Sequence, residues 1–453
     1  MEIALLIAQL AVVLACLLLG AHRGGMGLGL LGGVGLLILV FVFRLPPGEP
    51  PIQVMLTILA VIGCASVLQT AGGLDVLMRV AERILRKHPQ HITILGPLTT
   101  WTLTVLCGTG HVVYTMLPII ADISLKKNIR PERPMAISSV AAQMGITASP
   151  VSVAVVSMAS ILAERAGVGQ AFTIPQILMV SLPASLCGVL VAALWSIRRG
   201  KDLDDDPVFQ ARIADPKMRE YVYSGGSTLL DSTSSKEAYR ATRIFFTAIA
   251  VVVLLGAFEG LRPSFPTEAG GMAPLSMNLT IQILMLVAGA IILMTCKVKT
   301  ADIPNSGVFK AGMVAIFAVF GVAWMSETFF GAHLEDLEAG LAGVVAQAPW
   351  MYALVLFLVS KLVNSQAAAI TAIVPVGLAL GVDPVAIVGF IGAGYGYFIL
   401  PTYPSDLAAI GFDRSGTTHI GKFVINHSFL VPGLICVAVS CLVGYPLAQL
   451  LLG

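Results

Sequence analysis

The sequence predicts an all-α polytopic membrane protein made of two inverted-topology repeats, each with a re-entrant hairpin and a broken helix. Three observations predict it. First, 57% of the 453 residues are hydrophobic and 11% charged, with mean hydropathy +0.90, roughly half the charge of a soluble chain. Second, apolar runs near the ~20 residues that span a bilayer core recur from end to end, and four shorter ones fall in two adjacent pairs. Third, lysine and arginine crowd one set of loops.

The apolar segments are 3–20, 26–43, 51–70, 92–107, 110–123, 135–163, 174–197, 243–260, 276–296, 309–330, 349–363, 366–380, 384–411 and 421–446. Segments 92–107, 110–123, 349–363 and 366–380 are too short to cross unaided, so each pair reads as a hairpin that returns to its own side. Ten full spans and two hairpins remain. This arrangement gathers 23 of the 27 Lys and Arg on one side, in loops 20–25, 71–91, 124–134, 198–243, 297–310 and 412–422. The positive-inside rule makes that side cytoplasmic, so both termini face outward. If either short pair crossed as one span, the later loops would change sides and the bias would collapse.

Several classes fall away. No basic patch interleaved with aromatics suggests nucleic acid. The seven cysteines sit in apolar runs without CxxC spacing, so neither zinc nor a disulfide framework is indicated. No metal cluster, nucleophile or cofactor motif appears, and no cofactor is expected; a Ser-Pro at a helix start is a cap, not a nucleophile elbow. Residues 3–19 lack a basic n-region and a small-residue cleavage site, so they read as a retained span. "GGMGLGLLGGVG" stacks Gly25, Gly29 and Gly33 for close helix packing, at a dimer contact or inside one protomer; without a preceding strand it is no nucleotide loop.

Segment 198–242 is the one long cytoplasmic loop, and "KDLDDDP" lacks EF-hand spacing, so it reads as a solvated linker between the halves. Each half has three spans, an amphipathic stretch, a hairpin and two further spans. In "GLDVLMRVAERILRK", Leu74, Leu77, Ala81 and Ile84 form an apolar face opposite basic groups. In "HLEDLEAGLAGVVAQA", Leu334, Leu337, Leu341 and Val344 lie opposite acids. Both read as helices lying in the bilayer interface.

The hairpin tips "CGTGHVVYTMLP" and "VNSQAAAITAIVP" place small polar groups ahead of a proline, and the following long spans break at "TASPVS" and "LPTYPSD". Broken helix persists at membrane depth only where protein or a cavity surrounds it. Inverted repeats with paired broken helices point to a secondary transporter with a midplane site. Half-helices then start after Thr109, Ser149, Ser365 and about Tyr403, with Pro150 and Pro404 at first helical positions. Their converging N-termini favour a small anion. Thr402 and Ser405 would face it.

Lys361 is the one Lys or Arg this topology leaves inside the membrane, and an intramembrane charge is functional by default. Asp406 is the expected partner, either as a permanent ion pair or in competition with a carboxylate cargo. His111 at the first tip either contacts cargo or hydrogen-bonds to backbone. Gln143 and Gln366 are further donors, Gln366 being at a tip. Asn426 and His427 are expected to pack between helices in the last span, and Glu327 is left without a role.

At these residues the chain resembles the anaerobic C4-dicarboxylate transporter (Dcu) family, from about Gly24 to Tyr445. The resemblance rests on "GGLDVL", "LCGTGHVVYT", "RPERPMA", "AQMGI", "ASPVSVAVVS", "REYVY", "LRPSF", "AWMSETFFGAH", "SKLVNSQAAA", "GYGYFILPTYPSDLAAI" and "FDRSGTTHIGKFVINHSF". The His-containing tip, "VNSQAAA" and "TYPSD" resemble the B-type fumarate/succinate antiporters. The resemblance implies a bacterial inner-membrane carrier that exchanges fumarate, malate or aspartate for succinate in anaerobic fumarate respiration. It also implies kinship with ion transporters whose hairpins and broken helices ride as an elevator against a dimeric scaffold. Carried over by position, the site comprises Thr109, His111, Ser149, Ser152, Asn364, Ser365, Gln366, Thr402 and Asp406, with Lys361 close by. A homodimer and, for some B-type carriers, a sensor histidine kinase are the implied protein partners.

By that analogy residues 1–90 and 243–348 are scaffold, and 91–197 and 349–453 are moving elements. Rival readings are a proton-coupled dicarboxylate symporter using Asp406 or His111, and an anion channel. The channel needs a continuous polar path, and no span offers a regularly spaced polar face.

Overall fold

A computed structural model describes residues 2–23, 26–50, 52–165, 172–223, 228–230, 233–266, 271–333, 348–400, 403–421 and 426–453. The first half opens with α1 (Glu2–Arg23) and α2 (Gly27–Leu37), which continues as one π-turn over Ile38–Val42, then α3 (Ile52–Thr70). Gly72, in the left-handed region at φ 79°, lets the chain bend by 69° into α4 (Gly73–Lys87). α4 buries Leu74 and Ala81 of the predicted apolar face, and Leu85 beside them. It also buries Glu82 completely and leaves Ile84 46% exposed, so the buried face is rotated from the one read in the sequence. The second interfacial stretch, from Leu334, lies outside the described residues.

α5 (Ile92–Cys107) and α6 (Val113–Lys126) follow, then α7 (Glu132–Met144), a 3-10 turn (Gly145–Ala148), α8 (Val153–Arg165) and α9 (Ile174–Ile197). The bounds of α5 and α9 coincide with those read from the sequence. Thr173 and Gln176 form a capping box that starts α9.

The linker differs from expectation. It folds into α10 (Pro207–Ile213) and α11 (Pro216–Tyr223), and Leu203, Phe209 and Val222 pack with Leu125 of α6 in a small core. Asp206 caps α10 through the amides of Val208 and Phe209 and pairs with Arg130. Arg133 pairs with Asp202 at 2.6 Å, and Asn128 bonds to Asp204. Three of the four acids of "KDLDDDP", Asp202, Asp204 and Asp206, are therefore engaged by the α6–α7 loop and the first turn of α7, which the sequence pattern could not reveal.

The second half runs α12 (Lys236–Ala257), a short hairpin β1 (Ser264–Pro266) with β2 (Met272–Pro274), α13 (Met277–Thr295) and α14 (Gly307–Ala332). Next come α15 (Trp350–Val363), α16 (Gln366–Ala379), α17 (Pro384–Gly389), a 3-10 turn (Ile391–Gly394), α18 (Pro404–Phe412) and α19 (Leu430–Leu451). Among the described residues five helices, with α7 and α8 taken as one, are long and apolar enough to cross a bilayer, or six with bent α3–α4.

α19 begins well after the predicted start at 421. Residues 413–421 and 426–429 instead form a polar bridge, with an isolated pairing of Ile420 and His427. Asn426 and His427 thus lie outside the last span. His427 still packs internally: Nδ1 accepts from Phe429 N, so Nε2 carries the hydrogen and donates to the Ile399 carbonyl.

Packing forms two groups. α2 packs on α14, α14 on α3 and α3 on α13, and α2 lies so close to α14 that a Cβ on Gly321 would stand 1.8 Å from the Gly29 carbonyl oxygen. The glycine-rich helix therefore makes a contact inside one protomer. α5, α7, α9 and α19 form the other group, with a core of its own built on Trp101, Val140, Met144, Val189, Tyr397 and Phe398.

Candidate functional site: four chain breaks around Gln143

Each hairpin turns through a residue whose backbone is left-handed. At the first tip this is Gly108, at φ 74°; a Cβ there would lie 2.8 Å from the Val151 carbonyl oxygen, so only glycine fits. Thr109 is extended and its hydroxyl accepts from His111 N at 3.3 Å, opening a 3-10 turn before α6. At the second tip Asn364 takes φ 48°, a region this side chain tolerates, and the Ser365 hydroxyl caps α16 by accepting from Ala368 N at 3.3 Å.

The first broken span starts its second helix later than its Ser-Pro suggests. Ser149 Oγ is engaged by Val151 N at 3.3 Å, and Ser152 caps α8 by accepting from Val155 N at 3.2 Å. Pro150 therefore lies in the turn, not at the first helical position. In the second broken span Pro404 does hold that position. There the break opens earlier than "LPTYPSD" indicates, at Tyr395, because Gly396 is drawn against α15. Its N–H donates to Ser360 Oγ at 2.7 Å, and a Cβ on Gly396 would stand 2.1 Å from the Phe357 carbonyl oxygen.

These breaks meet on one face of α7. Gln143, 1% exposed, uses every polar atom of its side chain and its carbonyl. Its Oε1 accepts from the Tyr397 hydroxyl at 2.8 Å, its Nε2 points to Ser405 Oγ at 3.5 Å, and its carbonyl accepts from Gln366 Nε2 at 2.9 Å. Its side chain also lies against Gly110 of the first tip, where a Cβ would come within 2.6 Å of Nε2. One turn earlier Ser139 Oγ lies 2.8 Å from Ser405 Oγ and 2.7 Å from Asp406 Oδ1. Tyr397 and Tyr403 pack with ring centroids 4.4 Å apart.

Of the predicted residues, Gln366, Ser405 and Asp406 join this network directly. Lys361 and Asn364 form a neighbouring group: the ammonium donates to Asn364 Oδ1 at 3.2 Å, Tyr397 O at 3.3 Å and Leu400 O at 3.4 Å. The expected contact between Lys361 and Asp406 is absent from the described ion pairs. The carbonyls of the unwound segment satisfy the ammonium instead, and Asp406 turns to Ser139. Asp406 is 1% exposed, and among the described residues its Oδ2 has no hydrogen-bond partner; Gln366 Oε1 is likewise buried without one. Among the described residues Thr109 and Ser365 reach only backbone amides, and the exposed His111 ring stands 5.8 Å from that of Tyr114. Thr402 lies outside the described residues.

Ser139, Tyr397 and Tyr403 were missed from sequence, and Gln143 was noted only as a possible donor. A signal existed for two of them: Ser139 and Gln143 are polar residues one helical turn apart in an apolar span, so they share a face. Nothing in spacing marks the tyrosines, whose positions follow from how far the second break unwinds.

Oxygen acceptors, amide donors and one ammonium gathered inside an apolar helical body define a membrane protein with a buried polar site, and the fold agrees. The YdaH transporter of Alcanivorax borkumensis shares it at TM-score 0.54, covering 87% of this chain and 84% of that one at 14% identity. MtrF of Neisseria gonorrhoeae, described as an antimetabolite efflux pump, shares it at TM-score 0.52, covering 92% and 84%, also at 14% identity. The sequence narrows this further. Residues 5–452 match the model of the anaerobic C4-dicarboxylate membrane transporter family. The anaerobic C4-dicarboxylate transporter DcuB of Escherichia coli O157:H7 is 56% identical over 98% of both chains. DcuA of Wolinella succinogenes is 38% identical, over 99% of this chain and all of its own. The chain belongs to the Dcu family and is of its B type.

Proposed function

We propose that the protein carries C4-dicarboxylates across the bacterial inner membrane, exchanging fumarate, malate or aspartate for succinate in electroneutral antiport during anaerobic fumarate respiration. The observation that carries this reading is the meeting of both hairpins and both broken spans around Gln143. Helix starts capped by Ser152 and Ser365 bring positive dipole ends toward a buried polar centre, an arrangement suited to carboxylate. Lys361 adds a cation beside it. Relatives over the full length are named as C4-dicarboxylate transporters.

The same reading takes the halves as inverted repeats. Helix, tip, helix recurs as α5–α6 and α15–α16; helix, 3-10 turn, break, helix recurs as α7–α8 and α17–α18. Residues 91–197 and 349–453 act as the moving body of an elevator and 1–90 with 243–348 as a dimeric scaffold, a division favoured by the separate core that α5, α7, α9 and α19 share. Both termini face the periplasm.

Purified protein in liposomes tests the function through uptake of labelled fumarate with succinate, acetate or nothing inside. Uptake that requires internal succinate is expected. Equal uptake into empty vesicles driven by a pH gradient would replace antiport with proton symport.

A further inference from the structure

We infer that Asp406 stands in the cargo-free protein as a neutral carboxylic acid whose Oδ2–H is the donor offered to a cargo carboxylate. The inference deepens the proposed dicarboxylate site and rests on it for the identity of the cargo. Two observations carry it. Asp406 is 1% exposed, with Oδ1 held by Ser139 Oγ at 2.7 Å, while no donor among the described residues reaches Oδ2. An ionised carboxylate so placed would be a buried charge with half its acceptor capacity empty, and a buried charge persists only when paired and hydrogen-bonded. A protonated carboxyl asks far less, since its O–H is one neutral donor awaiting one acceptor.

The second observation is what faces it. From α7 Ser139 bonds to Asp406 and Gln143 lies at the adjacent Ser405, with Gln143 already committed to Tyr397, Ser405 and Gln366. α6 brings Tyr114 and the unwound segment Tyr395, Tyr397 and Tyr403 within electrostatic reach, all of them neutral side chains at ordinary pH. From α15 the Lys361 ammonium is directed at three carbonyl-type oxygens and does not bond to Oδ2. A dianion entering beside an ionised Asp406 would meet repulsion. Beside the acid it meets a hydrogen-bond donor, which completes the dicarboxylate's coordination. The reading reverses the simpler expectation of a Lys361–Asp406 ion pair opened by cargo.

Infrared difference spectroscopy on the purified protein in lipid decides it, because the readout needs no transport. At neutral pH the cargo-free protein should show a protonated-carboxyl C=O band that shifts in D2O, disappears in Asp406→Asn and moves when fumarate is added. Asp406→Glu should keep the band at a displaced frequency, which assigns it should the asparagine variant fail to fold. Because an amide also donates, Asp406→Asn should retain exchange within about tenfold, the worth of one hydrogen bond, with a flatter pH profile. A carboxylate signature in place of the C=O band would overturn the inference, as would a band that sodium abolishes. If the band is present and moves with some other anion but not with fumarate, the acid stands and the dicarboxylate reading falls.

Discussion

Ser365 shows how one hydroxyl serves a helix that begins inside an apolar body. It leaves α16 one fewer unpaired amide by accepting from Ala368 N, and it lies next to the left-handed Asn364 that turns the tip. Ser365→Ala should cost about 1 kcal/mol, and Ser365→Asn should restore most of it, because asparagine caps as well as serine. Denaturation midpoints in detergent would show this; equal midpoints for serine and alanine would remove the cap from the account. If the asparagine variant is stable yet no longer binds fumarate, Ser365 touches cargo as well. Asp413 works at a second polar turn. Its carboxylate, 4% exposed, accepts from Ser415 N at 2.9 Å, the Ser415 hydroxyl, Thr417 Oγ1 at 2.9 Å and Thr418 N at 2.6 Å. Asp413→Asn turns one acceptor into a donor facing donors and should destabilise by about 1–3 kcal/mol. Faster proteolysis within 413–429 would be its signature, and unchanged cleavage would count against it. At this scale the sequence was a partial guide. Pro404 marked its helix start because its neighbours left it there, whereas Pro150 did not, since Ser149 is spent on a turn and Ser152 does the capping.

Elements were most legible where backbone chemistry punctuates them. α5 ends on a glycine that contact with Val151 makes obligatory, and α9 opens on a capping box with proline behind it; both ranges could be read directly. The linker could not, because its helices are ordered by partners from the α6–α7 loop. The start of α19 could not, because the polar bridge before it leans on Glu132. That carboxylate accepts from Ser428 Oγ at 2.7 Å and pairs with Arg199 at 2.8 Å, both distant in sequence, and with the nearby Arg130 at 2.7 Å. The α2–α14 contact gives a paired test. Gly321→Ala drives a Cβ onto the Gly29 carbonyl, whereas a Cβ on Gly33 meets nothing within 4 Å. Overpacking should cost Gly321→Ala about 1–3 kcal/mol or more, and Gly33→Ala should leave stability unchanged or slightly raised. Equal thermal midpoints for the two variants would mean that α2 and α14 stand farther apart than this packing.

For the whole molecule, the decisive question is which elements move together, and one ionic cluster makes it testable. On α4, Glu82 is fully buried and holds both Arg86 at 2.7 Å and the Leu229 amide at 2.7 Å. Arg86 also reaches Asp122 of α6 at 3.3 Å, which Lys126 shares at 3.0 Å. In the proposed elevator α4 belongs to the scaffold and α6 to the moving body, so this cluster spans the sliding surface and must part in each cycle. Cysteines at 86 and 122 in a cysteine-free background, joined by a short cleavable bifunctional reagent, should then stop fumarate–succinate exchange, and reduction should restore it. The unlinked double variant serves as its own control for the lost ion pairs. A reagent joining α2 to α14, which lie on one side of the division, should leave exchange intact. Full exchange with α4 and α6 linked would mean that α4 travels with the hairpin. The boundary near residue 90 would then be misplaced, while the site around Gln143 would stand unchanged.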